Sequence, residues 1–171
     1  SKSHEVIWVG WPGILGKNPP QKSTITKILN DQGMHPIYIE KNKFNNFYGG
    51  FSNSTLWPLF HYFQQYTDFT ADTWDDYKQV NELFAAYTTK IARKDDIFWV
   101  QDYQLMLVPQ LIRDKFPEAT IGYFHHIPFP SYELMRTLPW RESIMRGVLG
   151  ADLVGFHTFD YVRHFASATS R

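Results

Sequence analysis

DIFWVQDYQLMLVPQLIRDKFPEATIGYFHHIPFP, residues 96–130, decides the fold. It opens on a short β-branched and aromatic run, Asp96 to Gln101, and closes on a second, Thr120 to His125. Between them Leu105 to Phe116 carries apolar residues at helical spacing. Strand, helix, strand within about 30 residues is a parallel βαβ unit. Pro128 and Pro130 then end the second strand, since neither can donate to a ladder.

The same alternation extends outward. Glu5 to Gly10, His35 to Glu40 and Asp152 to Phe156 read as further strands, and their near-continuous apolar character suits a parallel sheet buried on both faces. Asn18 is expected to cap a helix that takes Pro19 and Pro20 into its first turn, buries Ile25, Ile28 and Leu29, and ends at Gly33. Trp74, Tyr77, Val80, Phe84, Tyr87 and Ile91 step by three or four along one face of a long helix. Ser131 to Thr137 and Thr158 to Thr169 form two more, with Ser131 and Thr158 as caps; His164 on the last is expected at the surface or as a helix C-terminal charge. Gly49 and Gly50 are expected to break a helix that restarts at Ser52 or Asn53, with Tyr48 and Trp57 flanking the break. The fold class is therefore α/β, a Rossmann-like doubly wound parallel sheet, with ligands beyond the carboxyl ends of its strands.

Composition narrows the function. The chain has 171 residues, 43% hydrophobic and 20% charged, which suits one globular core. Seventeen basic and seventeen acidic residues cancel without long blocks, so neither nucleic acid nor an anionic membrane is an expected partner. With no cysteine there is no disulfide or thiolate metal site, and no apolar run reaches the roughly 18–20 residues of a membrane span. No signal peptide opens the chain, so a cytoplasmic location is expected. The seven histidines lack H-x-x-x-H or H-E-x-x-H spacing, and the chain has no G-x-S-x-G, G-x-x-x-x-G-K-[ST] or G-x-G-x-x-G. A metal site, a hydrolase elbow, a P-loop and a dinucleotide fingerprint are excluded.

What remains is the strand-end rule, which brings Asp102, His126 and His157 to one edge. A carboxylate there can accept from sugar hydroxyls, and a neutral imidazole can donate or accept, both without a cofactor. Asp102 serves equally as a helix cap and His126 as a donor to a loop carbonyl. The adjacent His125 and His126 point to opposite faces of a strand, so at most one meets a cleft. Tyr48 and Trp57 offer a phenol and an indole N–H to a phosphate or sugar oxygen and faces for stacking, or simply pack the core.

Taken together, the stretches WVGWPG, YGGFSNSTLWPLFHY, DDIFWVQDYQLMLVPQLIR and IGYFHHIPFPSYELMRTLPWRESIMRGVLGADLVGFHTFDYVRHF occur in the order seen in the trehalose-6-phosphate synthase family, which this sequence resembles from about Val6 to its end. The resemblance implies a retaining two-domain GT-B glycosyltransferase that moves glucose from UDP-glucose to glucose 6-phosphate, without metal or cofactor. Residues 1–171 would be most of the N-terminal, acceptor-binding domain, with the C-terminal UDP-binding domain outside the chain, which alone is expected to be inactive. By motif position Tyr48 and Trp57 match residues that contact the acceptor phosphate, Asp102 one that binds acceptor hydroxyls, and His126 one that contacts the donor glucose; His125 stands where the family has an apolar residue. The family's H-D-Y-H is Gln101-Asp102-Tyr103-Gln104 here, keeping the aspartate and losing both histidines. A non-catalytic synthase-like module that binds sugar phosphate or regulates is the alternative. Large aromatic surfaces also lead us to expect self-association.

Overall fold

The computed structural model describes residues 5–16 and 18–170. All its strands are parallel and alternate with helices, so the α/β class holds. Strands β1 (Trp8–Gly10) and β2 (Met34–Pro36) pair with each other, while β3 (Ile97–Gln101), β4 (Thr120–His125) and β5 (Leu153–Phe156) form a separate sheet in that order. The ladder is thus in two pieces among the described residues.

The first two strands are shorter than the sequence suggests. Pro36 has no N–H to donate, and beyond the Ile37 N–H to Gly10 carbonyl bond (2.7 Å) the chain leaves the ladder, although Ile37 and Ile39 stay buried. Glu40 does not extend a strand but caps the next helix, its carboxylate accepting from the N–H groups of Asn42 (3.2 Å) and Lys43 (3.4 Å). Helix α1 (Lys22–Asn30) starts later than Asn18 implies, because the Asn18 side chain meets the Lys22 ammonium (3.2 Å) rather than a backbone N–H. Its expected buried stripe is also absent: no α1 residue is buried, and Ile28 is 53% exposed. Gly33 does close the turn after it, at φ 73°.

Gly49 and Gly50 break nothing. Helix α2 (Lys41–Phe44) runs straight into a π-helix, Asn45–Leu56, and on into α3 (Trp57–Phe60). The hydroxyls of Ser52 and Ser54 each donate to the carbonyl five residues back, Phe47 (2.7 Å) and Gly49 (2.8 Å), which suits the wider i→i+5 turn. Gly50 is needed for close approach, since a Cβ there would sit 2.7 Å from the Thr73 methyl of the helix packed against it.

That helix is α4 (Ala71–Ile91), and its stripe follows the periodicity: Trp74, Tyr77, Val80 and Phe84 are buried, and Tyr87 and Ile91 toward its end are half-buried. With the π-helix, α5 (Val108–Lys115), α6 (Tyr132–Met135) and α7 (Arg141–Val148), it supplies the core against Phe98, Val100, Ile121 and Tyr123. The other face of β3–β5 is not covered as expected. Ile97 is 71% and Trp99 54% exposed, because the described helices pack on the opposite face. The Trp99 ring instead comes close against Gly122, and the Phe124 ring against Gly155, where a Cβ would collide with either ring. No described helix is long and apolar enough to cross a membrane.

Candidate functional site at the carboxyl edge of the sheet

Asp102 follows β3 with φ 71° and ψ 172°, a conformation almost confined to glycine. Four hydrogen bonds hold it there, one of them from the Leu105 N–H to its carbonyl (3.1 Å). Its N–H donates to the Phe124 carbonyl (2.8 Å), and its Oδ1 accepts from the N–H groups of Tyr103 (2.9 Å) and His126 (3.1 Å). The carboxylate therefore ties the end of β3 to the end of β4, while Oδ2 has no hydrogen-bond partner among the described residues. Strain of this kind costs about 1–3 kcal/mol and collects where a side chain must be aimed.

The two histidines after β4 part as alternation requires. His126 is exposed, its Nε2 2.7 Å from Gln101 Oε1, with its ring 4.6 Å from Phe124 and 5.5 Å from His157. His125 is wholly buried among Phe60, Phe129 and Phe156. Burial pushes its pKa down to about 3, so the ring is neutral. Nε2–H then donates to the Pro128 carbonyl (3.4 Å) and Nδ1 accepts from the Tyr123 hydroxyl (2.9 Å). The loop 126–131 is pinned twice more. His164, half-buried on α8 (Phe159–Thr169) rather than free at the surface, donates from Nδ1 to the Phe129 carbonyl (2.9 Å), and the Ser131 N–H donates to Tyr62 Oη (2.8 Å). Ser131 makes no side-chain cap, whereas Thr158 does cap α8 by accepting from the Tyr161 N–H (3.5 Å).

Beneath Asp102, the loop 103–107 rests on two side chains of α4. Tyr77 Oη donates to the Tyr103 carbonyl (2.7 Å) and accepts from the Met106 N–H (3.2 Å). Buried Asn81 donates to the Gln104 carbonyl (3.0 Å) and accepts from the Leu107 N–H (3.1 Å). Periodicity marks Tyr77 only as core and gives Asn81 no role; the signal in the sequence is a lone amide four residues past Tyr77 beside an apolar stripe.

The π-helix contributes from the side. Tyr48, Asn53 and Trp57 are spaced by five and four residues, near the i→i+5 repeat, and share one side of it. Asn53 Oδ1 accepts from Tyr103 Oη (2.8 Å). The Tyr103 phenol is pushed up to about 12, first by burial and then by the neighbouring Asp102 carboxylate and the Tyr48 phenol. Tyr48, 42% exposed, stacks on Phe44 (5.4 Å). Trp57, 40% exposed, stacks on His61 (4.0 Å) and makes no hydrogen bond or ring contact with Asp102 or His126. The edge accordingly presents a fixed carboxylate and an imidazole, with the Asn53 amide joined to it through Tyr103, groups suited to polyhydroxylated ligands, while no hydrogen bond or ring contact among the described residues ties Tyr48 or Trp57 to them. Two hollows on the helical flank, both lined by Gln110, Glu142 and Arg146, touch none of these residues.

Comparison with known proteins converges. The model of glycosyltransferase family 20 matches residues 1–171. An alpha,alpha-trehalose-phosphate synthase (UDP-forming) of Botryotinia fuckeliana is 44% identical over 175 residues, a match covering all of this chain and 34% of that protein. The N-terminal domain of the Candida albicans trehalose-6-phosphate phosphatase superposes with a TM-score of 0.84 at 37% identity, over 95% of this chain and 35% of that one. A Burkholderia xenovorans alpha,alpha-trehalose-phosphate synthase, solved in complex with glucose 6-phosphate, superposes at 0.83 and 31% identity, over 94% and 35%. The chain therefore spans about a third of the length of these three relatives.

Proposed function

The chain belongs to glycosyltransferase family 20, and from that premise we propose that it forms the acceptor-binding, Rossmann-like part of a retaining glucosyltransferase. The reaction moves glucose from UDP-glucose to the anomeric hydroxyl of glucose 6-phosphate, giving trehalose 6-phosphate and UDP. The observation that supports this most is Asp102: a strained backbone aims a carboxylate whose Oδ1 is filled by two N–H groups and whose Oδ2 remains for a sugar hydroxyl.

Tyr48 and Trp57 serve the acceptor phosphate, Asp102 the acceptor hydroxyls, and His126 the donor glucose. In the reaction the bond from the glucose anomeric carbon to the UDP phosphate oxygen breaks and a bond to the acceptor oxygen forms on the same face. The acceptor proton passes to the departing phosphate. Asp102 and His126 orient the sugars rather than attack them, so positioning and charge stabilisation supply the rate.

A second reading is a synthase-like module that binds sugar phosphate without turnover. It is favoured by the likeness to the N-terminal domain of the Candida phosphatase and by the loss of imidazoles at Gln101 and Gln104. Release of UDP from UDP-glucose, followed in the protein at its full native length, separates the two. Release that requires glucose 6-phosphate and falls at least tenfold in His126→Ala supports the synthase. Binding of glucose 6-phosphate with no UDP released selects the module, and undiminished turnover in His126→Ala removes the role given to that residue.

A further inference from the structure

Gln101, the last residue of β3, reaches sideways to His126 on the neighbouring strand, with Oε1 2.7 Å from the imidazole Nε2. In that orientation its amide nitrogen is buried with no partner, alone in this among the side-chain nitrogens and oxygens of the described residues. Buried polar groups are nearly always satisfied, and a partnerless N–H is rarer than a partnerless carbonyl oxygen. A carboxamide fits the same space turned end for end. Turned so, the nitrogen gains the Nε2 lone pair as acceptor and the less demanding oxygen takes the enclosed position.

We infer that Gln101 is a positioning residue that donates to His126 Nε2, holds the imidazole as its Nδ1–H tautomer, and so fixes His126 as a hydrogen-bond donor toward the sugar it meets. A neutral imidazole has one donor and one acceptor, so engaging the acceptor at Gln101 leaves only the donor for a ligand oxygen. Nothing else sets the tautomer: Nδ1 has no hydrogen-bond partner among the described residues, Phe124 and His157 meet the ring only through their own rings, and Asp102 takes the backbone N–H of His126 rather than a ring nitrogen. A carboxamide N–H can donate to the neutral ring in this way, which a carboxylate cannot, because a carboxylate only accepts. The statement that the ligand is a sugar rests on the function proposed above; the tautomer does not.

Long-range proton–nitrogen correlation spectra of histidine-labelled protein, recorded on the alkaline side of neutrality, read each ring's tautomer directly. The parent is expected to show His126 as Nδ1–H, Gln101→Glu to switch it to Nε2–H, and Gln101→Leu to give a mixture. An Nε2–H parent, or one tautomer shared by parent and Gln101→Glu, overturns the inference; that pair decides even where the Leu variant fails to fold. Adding UDP-glucose to the parent at its full native length then tests the ligand. If the tautomers behave as expected but the His126 resonances do not move, the clamp stands and the sugar-contact reading falls.

Discussion

Acidification from pH 7 to pH 5 is expected to destabilise this protein through His125. Folded, the ring sits in an aromatic cage with both nitrogens engaged by Tyr123 and Pro128, and its pKa falls from 6.5 to about 3. In the unfolded chain the same imidazole binds a proton at pH 5, and the native state does not. Stability is therefore complete above pH 6.5 and lost as pH falls toward 3. One pKa unit corresponds to about 1.4 kcal/mol, so this residue alone removes about 2 kcal/mol at pH 5 and at most about 5 kcal/mol near pH 3. Urea unfolding at pH 7, 6 and 5 measures it, with His125→Gln as the reference. Glutamine keeps a donor and an acceptor but does not titrate, and losing the ring contacts costs it about 1–3 kcal/mol at pH 7. The difference in stability between parent and variant should shrink by about 2 kcal/mol between pH 7 and 5. A constant difference across that range would refute the reasoning.

Other consequences of the packing are as direct. Gly50→Ala should destabilise by about 1–3 kcal/mol, because the new methyl meets Thr73 at 2.7 Å, whereas Gly49→Ala, with nothing within 4 Å, should stabilise by about 0.4–1 kcal/mol; thermal melts of the pair check the opposite signs. Asn81→Leu should cost about 2–4 kcal/mol in urea unfolding, since it strands the Leu107 N–H and the Gln104 carbonyl below Asp102. Hydrogen exchange of the Leu107 amide should accelerate in the same variant; unchanged protection would contradict the role given to Asn81.

Where local chemistry and tertiary packing agree, the sequence was legible. The run TIGYFH, closed by two prolines, is a strand over its full expected range, and the stripe on α4 is buried where its spacing puts it. Ile28 shows the opposite case, because an apolar period records only the capacity to be buried and not whether a neighbour arrives. Gly49 and Gly50 were misleading for a physical reason: glycine is a breaker by propensity, but here one of the pair removes a side chain so that two helices can touch. At the site, the strand-end rule located Asp102 and His126, and alternation separated His126 from His125. The bond that joins Asp102 to the His126 backbone was not legible, because it depends on a positive φ at an aspartate. The grip of Gln101 on His126 depends on which strands are neighbours, which only the folded chain shows.

Calorimetric titration with glucose 6-phosphate tests the central claim, that Asp102, Tyr48 and Trp57 form a sugar-phosphate site. Asp102→Asn keeps an oxygen for the Tyr103 and His126 N–H groups and removes the charge, and Trp57→Ala removes an indole that no described residue needs for the core. The account predicts heat of binding in the parent and its loss, or at least a tenfold weakening, in both variants, with glucose alone binding more weakly than its 6-phosphate. Equal binding of glucose 6-phosphate by parent, Asp102→Asn and Trp57→Ala would contradict it.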